Sequence, residues 1–224
     1  MPKEKLEDAH KYKIWTDNLY NNNVKINGVE EIYSRFRANG EILFSLLMLD
    51  ADVPEGGKIP PILFLKGQVL SVLICMIDEV SKEKYLLIVK QRRICDGSIT
   101  VEHPAGMVDA DDKPIDVAVR EVREETGLEI ETYQLVSLNE KPYFPSSGTS
   151  DESMFLYYCE LTLPIEKIMA FNNQNTGAAY ESEKIVTGVL PFKTAHDLMS
   201  NSNAILLNFM YLKAVGDFEL MKTL

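Results

Sequence analysis

The chain has 224 residues, 46% of them hydrophobic, and its 34 acidic against 23 basic side chains give a formal net charge of −11. That length fits one large domain, or one domain with a smaller appendage, and supports a proper core. The acidic balance argues against general affinity for nucleic-acid phosphates or anionic membranes, so an anionic substrate needs local cations, from a metal and a few arginines.

Residues 1 to about 30 are polar and carry no firm periodicity, with Trp15 and Tyr20 as candidate packing anchors. Two strand-like runs, Ile32–Arg37 and Ile42–Leu49, flank Ala38-Asn39-Gly40, and Asn-Gly between such runs signals a hairpin. Pro54, Gly56, Gly57, Pro60 and Pro61 then mark 51–61 as a linker. A boundary there divides the chain into an N-terminal extension, 1–60, and a main domain, 61–224. The main domain opens with β-rich runs at Gln68–Ile77 and Tyr85–Gln91, joined by the charged turn Asp78–Lys84. A short strand, Ser98–Glu102, precedes Pro104-Ala105-Gly106. Further strands are expected at Tyr133–Leu138, Met154–Leu161 and Ile185–Leu190. Thr194 is placed to cap a helix running to about Met199, and Ala204–Val215 reads as a closing amphipathic helix. Strands and helices interleave without a regular βαβ rhythm, which fits a mixed sheet between helices.

The three cysteines, Cys75, Cys95 and Cys159, are odd in number and lack CxxC spacing, which points to buried free thiols in a reducing cytosol. The first residues show no apolar signal region, and the longest apolar run, around Val69–Ile77, is too short to span a membrane. The expectation is a soluble cytoplasmic protein.

The most informative stretch is Gly106–Leu128. Pro114 suits a first helical position, Asp116 is an acid in the first turn, and Gly127 suits a left-handed C-terminal cap. Ile115, Ala118, Val119 and Val122 recur at helical spacing and are expected to face a core. Glu121, Glu124 and Glu125 then fall together on another face of the same helix. Arg120 can reach Glu124 one turn on, which leaves a surplus of negative charge. An acidic helix face is often merely solvated, but a hard divalent cation with oxygen ligands, Mg²⁺ or Mn²⁺, would also relieve the repulsion. Three further clusters carry polar chemistry: Lys90-Gln-Arg92-Arg93-Ile94 at a strand end, the loop Tyr143–Glu152, and Glu181-Ser-Glu183 ahead of a strand.

The stretch resembles the Nudix box, Gly-x5-Glu-x7-Arg-Glu-U-x-Glu-Glu-x-Gly-U with U aliphatic. Gly106, Arg120, Glu121, Val122, Glu124, Glu125, Gly127 and Leu128 match in register, and Asp112 stands where the family has Glu. Around the box the chain is similar to the branch that cleaves ADP-ribose and other ADP-sugars. Pro142 and Pro145 lie near that branch's characteristic proline. Ser146-Ser147-Gly148 replaces its Ser-Pro-Gly-like loop, with Glu152 at the acidic position. Gln91, Arg93 and Ile94 fit its Gln-x-Arg-aliphatic strand end, and Glu181, Glu183 and Ile185 fit its Glu-x-Glu-aliphatic loop.

The resemblance, over roughly 62–215, implies an α/β/α sandwich with a mixed sheet, preceded by an N-terminal β-hairpin. It implies Mg²⁺, with Mn²⁺ as an alternative, held by Glu121, Glu125, Glu183 and the Ala105 carbonyl. Glu181 corresponds to the general base, or Glu152 in its stead, while Glu124 and Arg120 steady the metal helix. Arg93 corresponds to a phosphate contact, Glu152 to a residue ordering substrate or metal waters, and Lys66 to a further phosphate or dimer contact. The implied substrate is a nucleoside diphosphate sugar of the ADP-ribose or ADP-glucose kind, and the implied assembly is a homodimer with exchanged N-terminal strands. The alternatives are a UDP-sugar pyrophosphatase or a non-catalytic nucleotide-sugar sensor; nucleic acid and membrane are not expected partners. His103 stands where the family has an apolar residue and reads as a packed histidine.

Overall fold

Residues 2–108, 112–177 and 184–224 are described by a computed structural model. Their contacts fall into two compact units: Met1–Val69 with Met107–Asp112 and Tyr143–Met154, and Leu70–Gly106 with Lys113–Pro142 and Phe155–Leu224.

The first unit is a helix on a three-stranded antiparallel sheet. Helix α1 (His10–Asn21) is followed by β1 (Lys25–Phe36), β2 (Ile42–Asp52) and β3 (Ile62–Leu65), in the order β1-β2-β3. The expected hairpin is present but longer: β1 starts at Lys25, with Val29 opposite Leu49 and Tyr33 opposite Leu46. The helix was not legible in the polar N-terminal composition. Tyr12, Trp15 and Leu19 share one of its faces, and they pack with Leu6, Val24, Leu47, Leu49, Leu63 and Leu65. Tertiary burial of that narrow stripe, rather than helix propensity, holds α1 in place. Trp15 is thus a true anchor, whereas Tyr20 is exposed. The stretch expected as a linker is largely a turn inside the sheet. β2 runs on to Asp52, Gly56 and Gly57 take positive φ, and Lys58 reaches Asp50 and Asp52 at 2.6 and 2.8 Å. β3 then pairs with β2, Leu65 opposite Ser45 and Ile62 opposite Met48.

The second unit is built on a mixed sheet. Its strands are β4 (Gln68–Asp78), β5 (Lys84–Arg92), β6 (Ile99–Glu102), β7 (Ala105–Met107), β8 (Val136–Ser137), β9 (Ser153–Leu163), β10 (Asn175–Thr176) and β11 (Ile185–Pro191). The order is β10-β11-β5-β4-β9-β8, with β6 on β5 and β7 on β4. β4 and β5 are antiparallel, whereas β4 and β9 run the same way, their C-terminal ends joined by Glu79 N–H to the Leu163 carbonyl. Leu70 to Met76 of β4 are all buried, as expected of a strand covered on both faces. The helices are α2 (Pro114–Thr126), α3 (Ile165–Met169), α4 (Phe192–Leu198), α5 (Ser202–Val215) and α6 (Phe218–Met221). This is the mixed α/β architecture with an N-terminal hairpin sheet that the sequence implies.

Three local expectations change. Tyr133–Leu138 is a 3-10 turn, Thr132–Gln134, followed by the two-residue β8, because Gln134 folds back to accept the Glu131 N–H at 2.9 Å. Helix α4 begins at Phe192 after Pro191, so Thr194 lies inside it and caps nothing; burial of Phe192 starts the helix earlier. Cys75 and Cys159 are buried free thiols, but Cys95 is exposed in the turn after β5. Among the described residues no helix is long and apolar enough to cross a membrane.

Candidate active site

Helix α2 has the predicted bounds, with Pro114 at its start and Gly127 in the left-handed conformation at its end (φ 72°). Its buried stripe differs from the predicted one. Val117, Ala118, Val122, Glu125 and Thr126 are buried, while Ile115 and Val119 are only half-buried. Glu125 is therefore part of the core stripe, seven residues after Ala118, while Glu121 one turn before it is half-buried at the edge of that stripe.

A carboxylate there needs a partner, because desolvating an ionised group without compensation is costly. Glu125 Oε2 accepts the Ala105 N–H at 2.9 Å. One turn back, Glu121 lies against the next residue, Gly106. A Cβ built on Gly106 would fall 2.2 Å from Glu121 Cδ and 2.4 Å from its Oε1, so no other residue leaves that carboxyl its place. Two glutamates of α2 thus meet consecutive residues of β7. Arg120 Nη2 lies 3.9 Å from Glu121 Oε1. The helix ends against the strand pair β10–β11: the Gly177 N–H donates to the Glu124 carbonyl at 3.1 Å, and Thr176 Oγ1 donates to that of Glu125. Thr176 also faces Ile185 across β10–β11. Glu181 and Glu183 lie between those strands in sequence, outside the described residues. Among the described residues no three His, Cys, Asp or Glu side chains converge into a metal-holding group.

In the same unit, Arg93 at the end of β5 is gripped by Glu102 of β6. Arg93 Nε and Nη2 donate to the two carboxylate oxygens at 2.9 Å each, a bidentate geometry. Thr100, two residues before Glu102 on the same strand face, donates to Glu102 Oε1 as well. Burial pushes the Glu102 carboxyl up, but these bonds and the arginine charge outweigh it and hold the group below the usual glutamate range. Arg92 instead donates to the Gly97 carbonyl and closes the turn. Neither Glu102 nor Thr100 was singled out in the sequence; their spacing of two on a strand opposite Arg93 was the available signal.

His103 is 1% exposed, and its Nε2 pairs with Asn208 Oδ1 at 2.9 Å. Asn208 Nδ2 in turn lies 3.1 Å from His196 Nδ1. Burial lowers the His103 pKa to about 4, so it is a neutral, packed histidine at pH 7.

The other unit holds Lys66 and Glu152, paired Nζ to Oε1 at 2.9 Å. The neighbouring Asp151 carries the junction. Its carboxylate accepts the Lys66 N–H at 2.6 Å and the Gly67 N–H at 3.1 Å. The loop is also sewn to β3 by the Phe64 N–H to the Thr149 carbonyl and by Ser150 Oγ to the Phe64 carbonyl, both 2.8 Å. Burial raises the Asp151 pKa against the opposing pull of these amides and of Lys11. Nothing in the spacing of the loop marks Asp151 apart from Glu152. Tyr143 and Phe144, at the other end of the loop, are exposed.

The family model "NUDIX domain" matches residues 67–178, half of the chain. With α2 and β7 arranged as above, the chain belongs to the Nudix family. Among curated proteins it is similar to "Nudix hydrolase 14, chloroplastic" of Arabidopsis thaliana, 33% identical over 151 residues, 63% of this chain and 48% of that one. It is also similar to "Putative nudix hydrolase 2" of Caenorhabditis elegans, 38% identical over 72 residues, 32% of this chain and 31% of that one. The chain thus spans about half or less of the length of these relatives. Among solved structures it shares the fold of "Crystal structure of ADP compounds hydrolase", with a TM-score of 0.59 and 17% identity over 86% of this chain and 96% of that one.

Proposed function

We propose that this protein hydrolyses the pyrophosphate bond of a nucleoside diphosphate sugar, of the ADP-ribose or ADP-glucose kind, giving a nucleoside monophosphate and a sugar phosphate. The observation that carries the reading is the seating of Glu121 and Glu125 against consecutive residues of β7, Gly106 and Ala105. A helix that packs one glutamate on its core stripe and needs a glycine opposite another is built around carboxylates, not merely decorated with them. The fold shared with an ADP compounds hydrolase supports the substrate class.

The donor set suits a hard divalent cation, Mg²⁺ or Mn²⁺. Glu121 and Glu125, the Ala105 carbonyl and Glu183 would hold it. When bound, such an ion neutralises pyrophosphate charge and lowers the pKa of a bound water. Glu181 takes the proton of the attacking water, Arg93 holds a phosphate, and Glu124 and Arg120 steady α2. Lys66 and Glu152 act on substrate as a pair, since each neutralises the other.

The test is turnover of ADP-ribose, ADP-glucose, UDP-glucose, diadenosine polyphosphates, NADH and capped RNA in Mg²⁺ and in Mn²⁺. ADP-sugar turnover is expected to lead; preference for UDP-glucose would move the base specificity, and no turnover of any would favour a sensor.

We also propose a cytoplasmic homodimer with exchanged N-terminal strands. Tyr33, Leu46 and Phe64 form a cross-strand row on the β1-β2-β3 sheet, flanked by Met48 and Ile62, and all five are exposed. Such an apolar face is characteristic of an association surface. Sedimentation at the monomer mass would rule the dimer out.

A further inference from the structure

The Arg93–Glu102 pair is odd as a stability device. Glu102 is 6% exposed, so its carboxylate is largely removed from water, yet its partner arginine remains 43% exposed at the side chain. Burying a charge for a half-exposed ion pair is a poor exchange, since such pairs contribute little and an apolar residue in the same place is often as stable. The carboxylate does not add charge for an anionic ligand either; it cancels the charge of Arg93. What it does supply is orientation. Two parallel bonds of 2.9 Å fix the plane of the guanidinium, and Thr100 pins the carboxylate from the same strand. The Arg93 backbone is tied as well, its N–H to the Ser98 carbonyl and its carbonyl to the Gly97 N–H, each at 3.0 Å. The residue is held at both ends while its side chain remains partly exposed.

We propose that Glu102 is a positioning residue for substrate: it holds the Arg93 guanidinium in the orientation that receives a phosphate of the pyrophosphate. The inference rests on the pyrophosphatase reading above. A preset planar fork binds a phosphate without ordering a long, flexible side chain on each encounter. The cost is a weaker electrostatic attraction, and that gives the idea a sign. If orientation dominates, removing the Glu102 charge weakens binding; if charge dominates, it strengthens binding.

The experiment is steady-state kinetics on ADP-ribose for Glu102→Gln, Glu102→Asp, Arg93→Ala and the double variant Arg93→Ala with Glu102→Gln, each first checked for native circular dichroism and thermal unfolding. Glu102→Gln keeps the shape and loses the charge; Glu102→Asp keeps the charge and shortens the reach by one methylene. Both are expected to raise KM about tenfold, the worth of one good charge-assisted hydrogen bond, with kcat within about threefold of the parent. In the double variant the KM rise is expected to be no larger than for Arg93→Ala alone. Titration calorimetry with AMP should show the same loss without turnover. An unchanged or lower KM in Glu102→Gln overturns the proposal, as does full additivity in the double variant. An Arg93→Ala enzyme with unchanged KM overturns the phosphate role of Arg93 itself, and with it the reading beneath. A Glu102→Gln chain that fails to fold leaves the decision to Glu102→Asp, for which unchanged KM is the refuting result.

Discussion

Two carboxylates, the buried Glu102 in one unit and the half-buried Asp151 in the other, answer desolvation in opposite ways. Both lose much of their contact with water and both accept hydrogen bonds. Glu102 faces a guanidinium and a hydroxyl, and its carboxyl is held below the ordinary range. Asp151 is bonded by two main-chain amides and feels the Lys11 charge through space, and its carboxyl is held above it, burial outweighing both. Amide dipoles satisfy lone pairs but bring no formal charge, so they do not repay the desolvation of an ionised group as an arginine does. The difference divides the two by role. Asp151 is a fastener: it closes the backbone at Lys66 and Gly67 and pins the 143–154 segment. Glu102 is charge-matched, and in the proposal above it orients a partly exposed arginine.

A further carboxylate, the buried Glu125, sharpens the contrast. Glu125 accepts a main-chain N–H from Ala105, as Asp151 does from Lys66 and Gly67, yet in the proposed reaction it is a metal ligand. Glu125→Gln should lower kcat on the preferred substrate by at least about 10²–10³-fold, of the order found when one designed charge contact is removed from a transition state. Its unfolding temperature should stay close to the parent's. Near-normal turnover in Mg²⁺ would place Glu125 with the fasteners.

Asp151→Ala should do the reverse. It leaves the Lys66 and Gly67 amides without their acceptor, and should cost about 1–3 kcal/mol of stability by urea or thermal unfolding. For a chain this size each kcal/mol corresponds to about 2–4 °C in Tm. The kcat should change little; a loss as large as that of Glu125→Gln would make the loop part of the chemistry.

The smallest effect is a matter of sign. Asp151 has a raised folded-state pKa, so its contribution is fully present below the unfolded-state value and is lost as pH rises through the folded value. The stability gap between parent and Asp151→Ala should therefore shrink from about pH 4 toward neutrality. Glu102 has a lowered folded-state pKa, so its contribution is present above the unfolded value and is lost as pH falls through the folded one. The gap between parent and Glu102→Gln should shrink toward acid. Parallel pH dependences for the two would contradict the contrast between guanidinium and amide partners.

Local chemistry explains what was legible without coordinates. The bounds of α2 follow from Pro114, Asp116 and Gly127, residues whose preferences act within one turn of chain. The hairpin follows from Asn39-Gly40 between apolar runs, and β4 from an unbroken apolar stretch. The acidic register of Glu121, Glu124 and Glu125 marks the candidate site because it falls in step with Gly106, Arg120 and Gly127, which a merely solvated acidic face does not require. What escaped was long-range. Helix α1 exists because Trp15 and Leu19 find Leu47, Leu49 and Leu65, residues distant in sequence and invisible to local periodicity. Gly106 is needed not for its φ but for the nearness of Glu121. Glu125 shares the core stripe because β7 brings the Ala105 N–H to meet it, and Glu102 matters because β6, paired with β5, carries it to where the Arg93 side chain reaches from the strand end. The sequence alone determined which groups could do the chemistry, since their types and spacings are local. Only the tertiary structure decided which carboxylate fastens, which steers and which is seated to bind, because burial and partners belong to the packed chain.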